Sequence, residues 1–154
     1  MISPELVPDF VKKLIVIDGA NVCWHRHNKT KKPQLSNLIL LLTELRELGI
    51  PEKEILVFCD SSLKYDIDDR TRYYSMLKKG IVRETPGGMK ADEFILGYCL
   101  KHKNPMIISN DFYKQYLAQL SDNFWIDKRR VAFMILEDEL ILVPVLERIL
   151  EVSL

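Results

Sequence analysis

The chain has 154 residues, 47% of them hydrophobic, with 22 Lys plus Arg against 22 Asp plus Glu. A chain of that length is one ordinary domain, here taken as residues 1–154, burying roughly two-thirds of its unfolded surface. Balanced charge points by itself to neither nucleic acid nor membrane, so any electrostatic argument rests on where the charges sit.

Cys23, Cys59 and Cys99 are odd in number and far apart, which argues against a disulfide framework or a zinc knuckle and for a reducing, cytoplasmic setting. No apolar run reaches bilayer length, and the opening residues, with Pro4, Glu5, Pro8 and Asp9, do not read as a secretory signal. A membrane is not expected, and homo-oligomerisation is left open.

In chain order, the β-branched run Leu14–Asp18 predicts a buried strand. Pro33 opens a helix carrying Leu35, Leu38, Ile39, Leu42 and Leu45, with Gly49 just past its end. A strand follows at Glu54–Cys59, a helix at Asp69–Lys79 stopped by Gly80, a strand at Ile81–Glu84 and a helix at Ala91–His102. Met106–Ser109 is a strand, Asp111–Leu120 a helix, and Val131–Leu136 turns at Glu137, Asp138 and Glu139 into a hairpin with Leu140–Val143. A last helix runs from Pro144 to the C-terminus. Strands alternating with helices predict a three-layer α/β/α domain, its central sheet mainly parallel, with an antiparallel C-terminal hairpin at the edge.

In such a sheet the crevice lies outside the carboxyl ends of the strands. The residues at those ends are acidic: Asp18 after the first strand, Asp60 after the second, Asn110 and Asp111 after the fourth. Asp92, in "GGMKADEF", opens a helix after a Gly-rich loop. Two carboxylates about 5 Å apart in an effective dielectric near 20 repel by roughly 3 kcal/mol, so such a cluster favours a divalent cation. The donors are all oxygens, which suits Mg²⁺ or Mn²⁺ better than zinc. A metal that activates water beside a second held oxygen is the equipment for attack on a phosphodiester. Each acid also has a plainer reading: Asp18 and Asp60 as turn residues, Asp111 as a helix N-cap, Asp92 and Glu93 as acids favoured by a helix dipole.

The segment from Trp24 to Lys32 holds Arg26, Lys29, Lys31 and Lys32 and no acid. Beside an acidic cleft it suits RNA, with the cations on phosphates and Trp24 on a base; the alternative is a solvated loop with Trp24 in the core. Lys128, Arg129 and Arg130 form a second patch if they reach the same edge. "TPGGMK" lacks the spacing of a P-loop.

"VIDGANV", "KADEFI" and "ISND", in this order, resemble the NYN branch of the PIN-like nucleases, and "RRVAFMILEDELILVP" resembles its closing strand and hairpin. The similarity runs from about Lys13 to Pro144 and is greatest to the catalytic domain of Regnase-type, CCCH-zinc-finger ribonucleases. It implies a PIN-like fold and Mg²⁺-dependent hydrolysis of RNA. It further implies that Asp18, Asp92 and Asp111 hold the metal directly or through water, and that Asn21 orients the metal shell or the scissile phosphate. It also selects Asp92 over Glu93, since adjacent helical residues diverge by about 100°. Two positions depart from the family pattern: Ala91 and Gln115 stand where it has acids, and Asp60 is the candidate to compensate. The expected function is endonucleolytic cleavage of single-stranded or loop RNA by Mg²⁺-activated water. The alternative is a catalytically weak RNA-binding or adaptor domain of the same fold.

Overall fold

The computed structural model describes residues 14–25, 31–102, 105–120 and 124–143. The helix expected from Pro144 onwards lies outside them, as do Arg26 and Lys29.

Six strands form one sheet: β1 Ile15–Asp18, β2 Ile55–Cys59, β3 Val82–Glu84, β4 Met106–Ile108, β5 Arg130–Leu136 and β6 Glu139–Val143. Their order is β3-β2-β1-β4-β5-β6. All pairings are parallel except the β5–β6 hairpin. Every residue of β1 is buried, as befits a central strand covered on both faces. The α/β/α architecture expected from the alternating pattern is therefore present. The sheet order reverses between β1 and β4, which makes the gap beyond their carboxyl ends the place for a ligand crevice.

The helices are α1 Gly19–Cys23, α2 Leu35–Glu47, α3 Leu63–Asp66, α4 Arg70–Lys78 and α5 Ala91–Lys101, with 3₁₀ turns at Glu52–Glu54 and Lys114–Gln119. Alternation along β1 separates two cores. Ile15 and Ile17 face Leu38, Leu41 and Leu45 of α2 and Tyr73 of α4. Val16 faces the other way, with Ile95 and Cys99 of α5, Tyr113 and Trp125. Gly49 and Gly80, at φ 84 and 76, follow α2 and α4 as the stops the sequence indicates.

Three details differ from the sequence expectation. The buried stripe of α2 is Leu35, Leu38, Leu41 and Leu45, while Ile39 and Leu42 are only partly buried. The helix expected over Asp111–Leu120 contracts to the 3₁₀ turn at Lys114–Gln119, because Tyr113 takes a left-handed conformation, φ 52 and ψ 35, that stops a helix from starting at Asp111. The short helices α1 and α3 carry too few residues to give a periodic signal.

Candidate active site

Asp18 ends β1 and caps α1, its Oδ1 accepting a hydrogen bond from the Asn21 amide at 3.3 Å. Gly19 allows that turn to press against β2, since a Cβ there would drive into Cys59 Sγ and stand 2.9 Å from Val57 Cγ1. Asp18 is 6% exposed. Its Oδ2 accepts from the Tyr113 hydroxyl at 3.1 Å and from Ser109 Oγ at 3.4 Å. Burial raises its pKa to about 6; the Asn21 amide and Tyr113 hydroxyl pull it down, while Asp111 and Asp60 push it further up. Asp18, Asp60 and Asp111 thus share one electrostatic neighbourhood, reached from β1, β2 and β4.

Asp60 has a second task. No side chain of α5 caps its start at Lys90, and Asp60 Oδ1 instead accepts the Ala91 amide at 2.7 Å, from 31 residues earlier in the chain. This bond holds the start of α5, and with it Asp92, against the end of β2. Asp92 is occupied as well. Its Oδ1 accepts from the Glu93 amide at 2.8 Å and the Tyr116 hydroxyl at 3.2 Å, and its Oδ2 from Gln115 Nε2 at 3.0 Å. Glu93 is exposed, one residue round the helix from that network.

Asp111 is not a helix N-cap. Its Oδ1 accepts the Tyr113 amide at 2.8 Å and its own amide donates to Ser109 Oγ at 3.1 Å, a tight turn that aims the Tyr113 ring back at Asp18. Asn21 joins the two acid-bearing loops: its Oδ1 accepts the Asn110 amide at 2.9 Å. Asn110 in turn accepts from the Phe133 amide at 2.9 Å and donates to the Phe133 carbonyl at 3.0 Å. Sequence reading missed Asn37, which is buried on α2 and donates to the Val22, Cys23 and His25 carbonyls at 3.2, 3.4 and 2.8 Å. Those bonds fix the end of α1 and the path of Trp24; a polar residue on the apolar stripe was the available signal.

Trp24 is 41% exposed and so is not a core residue. Lys31 and Lys32 are exposed too. Arg130 stacks on Phe112, 4.3 Å to the ring centre, and donates to the Ser109 carbonyl at 3.2 Å, beside the acids. Arg129 stacks on Trp125 at 4.1 Å and acts on Cys99, two turns along α5 from Asp92. The pair therefore points to different places. Burial pushes the thiols of Cys23 and Cys99 up to about 12 and that of Cys59 upward as well, which leaves all three inert.

Among the described residues, no three His, Cys, Asp or Glu side chains stand close enough together to grip a metal ion. The donor chemistry nonetheless suits a hard cation: the candidate donors are oxygens only, one of them on a buried carboxylate whose charge is opposed by burial and by two acidic neighbours.

The model of the Zc3h12a-like ribonuclease NYN domain matches residues 11–146. The chain belongs to that family. Two solved structures share the NYN domain's fold: nuclear proteinaceous RNase P 2 from A. thaliana, at 19% identity and TM-score 0.65, and a second structure of Arabidopsis thaliana nuclear protein-only RNase P 2, at 18% and 0.67. Each match covers 92% of this chain but only 32% and 37% of the plant chains, so the NYN domain spans about a third of their length. No curated protein matches the sequence. The family is one of ribonucleases, and it supports RNA cleavage as the activity. Among the described residues no helix is long and apolar enough to cross a membrane.

Proposed function

We propose that this NYN domain is a divalent-metal-dependent endoribonuclease, acting on single-stranded or loop RNA as a single cytoplasmic domain. The observation that carries the reading is Asp18: a buried carboxylate at the sheet's switch point, with Asp111 and Asp60 near enough to raise its pKa. Asp18, Asp92 and Asp111, with Asp60 alongside, would hold Mg²⁺ or Mn²⁺ once drawn closer together than they stand here. When bound, such an ion lowers the pKa of water and stabilises charge on a phosphodiester.

The remaining work falls to the chain. Tyr113 and Ser109 orient Asp18 by donating to one of its oxygens. Asn21 ties the loop after β1 to the loop after β4, which fixes the spacing of the two acid-bearing turns. Gln115 and Tyr116 hold Asp92 at the head of α5. Arg130, next to Ser109, and the exposed Lys31 and Lys32 supply positive charge for phosphates.

End-labelled RNA incubated with purified protein tests the proposal. Cleavage in Mg²⁺, internal cuts, and loss of both with EDTA or Asp18→Asn are expected; equal cleavage in chelator rejects the metal role.

A second reading, an RNA-binding or adaptor domain with little turnover, is favoured by one observation. Gln115 stands where the family resemblance expects an acid, and it donates a hydrogen bond to Asp92 instead of adding charge. RNA binding with no cleavage in Mg²⁺ or Mn²⁺ would select that reading.

A further inference from the structure

Trp24 and Tyr65 line one open cleft of about 490 Å³, between the end of α1 and the α3–α4 corner. That volume lies within the range of small-ligand clefts, about 300–1,000 Å³. The two rings are 41% and 65% exposed. Two large aromatics left in water in one cleft suit a flat ligand that stacks.

The charge around them selects the ligand further. Among the described residues that line it, Lys31, Lys32 and Arg70 stand beside Asp66, Asp68 and Asp69, so the cleft offers hydrogen-bond acceptors as well as cations. Asp68 and Asp69 each commit one oxygen to a backbone amide, of Leu35 at 3.0 Å and of Arg72 at 3.1 Å. Asp66 is exposed and lines the same cleft. A carboxylate accepts two parallel N–H groups well, and guanine is the RNA base that presents two, N1–H and N2–H, on one edge.

The position relative to the acids also fits. Trp24 is separated from Asp18 by the helix α1, about 9 Å along its axis at 1.5 Å per residue. Asp18 and Asp68 both push up the pKa of the buried Cys23 thiol, so the acidic site and the cleft each lie near that one side chain.

We infer that the Trp24–Tyr65 cleft is a nucleobase subsite, selective for guanine, that holds a base near the phosphate to be cut. The inference deepens the proposed ribonuclease reading and rests on it for the RNA context, but its test does not require cleavage. The chain has two tryptophans, and Trp125 is 6% exposed beneath Arg129, so changes in emission on base stacking report Trp24.

The full chain in EDTA is titrated with GMP, AMP, UMP and ribose 5-phosphate while tryptophan emission is followed. Saturable quenching by GMP is expected, with AMP and UMP at least about fivefold weaker. Trp24→Phe should remove the signal, Tyr65→Ala should weaken GMP about tenfold, and Asp66→Asn should bring GMP down to the level of AMP. Circular dichroism of each variant separates these effects from unfolding. Equal quenching by ribose 5-phosphate, or no saturable quenching by any nucleotide at millimolar concentration, overturns the subsite. Quenching by GMP without any RNA cleavage keeps the subsite and removes the nuclease reading. Cleavage with no quenching, and with unchanged KM in Tyr65→Ala, does the reverse.

Discussion

The Tyr113 hydroxyl reaches Asp18 Oδ2 at 3.1 Å, linking the turn after β4 to the end of β1 across 95 positions in sequence. Both groups are buried. Tyr113 adopts a left-handed backbone to make the contact, so the bond fixes the local chain path as well as the carboxylate. Because it favours the ionised form of Asp18, Tyr113→Phe should move the acid limb of the cleavage rate profile to higher pH. It should also cost about 1–2 kcal/mol in urea unfolding, the usual range for removing one partner of a buried hydrogen bond. A variant with wild-type stability and an unshifted profile would show that the bond is idle.

Asp18→Asn separates activity from stability. The folded-state pKa of Asp18 is about 6 against an ordinary value of 3.8, so its favourable contribution is complete below 3.8 and is lost as pH rises through about 6. At pH 7.5 the ionised group therefore opposes folding by roughly 3 kcal/mol, at 1.36 kcal/mol per pKa unit. In EDTA the asparagine variant should melt higher than the parent at pH 7.5 and lose that advantage near pH 4. Thermal melts across this range check it; a variant less stable at pH 7.5 contradicts the account of Asp18.

Gln115→Glu would put a second carboxylate beside Asp92, where the amide nitrogen now donates to Oδ2 at 3.0 Å. Without metal the two acids repel, so the melting temperature in EDTA should fall. With metal the extra charge should lower the half-saturating Mg²⁺ concentration several-fold, because ligand charge tunes affinity at oxygen sites. Metal-dependent melting curves read both effects at once.

Gly19→Ala tests how tightly the acidic turn is seated. The added methyl meets Cys59 and Val57, and overpacking of this kind costs about 1–3 kcal/mol. Since the same turn carries Asp18, cleavage should drop more than the folded fraction does, measured by circular dichroism alongside RNA turnover. The companion change Cys59→Ala should recover part of both.

What the sequence disclosed and what it concealed divide along the range of the interactions. β1, β2, β4 and the β5–β6 hairpin were legible as short runs of Val, Ile and Leu, and α2 from its leucine spacing and Gly49. Asp18, Asp60 and Asp111 were legible as strand-end acids because a parallel sheet gathers such residues at one edge. Tyr113 was not: a left-handed tyrosine is imposed by tertiary contacts and leaves no local signature. The cap that Asp60 places on α5 spans 31 positions and was equally hidden. Arg129 and Arg130 are adjacent in sequence yet reach different aromatic partners, Trp125 and Phe112, because Arg129 still belongs to the turn that carries Trp125 while Arg130 is the first residue of β5.

The metal-site proposal is tested most directly by anomalous diffraction from crystals soaked in Mn²⁺. The account predicts one or two peaks bounded by Asp18, Asp92 and Asp111, with Asp60 alongside, and none in crystals of Asp18→Asn. Saturating Mn²⁺ with no peak at those carboxylates, in a protein that still cleaves RNA, would contradict it.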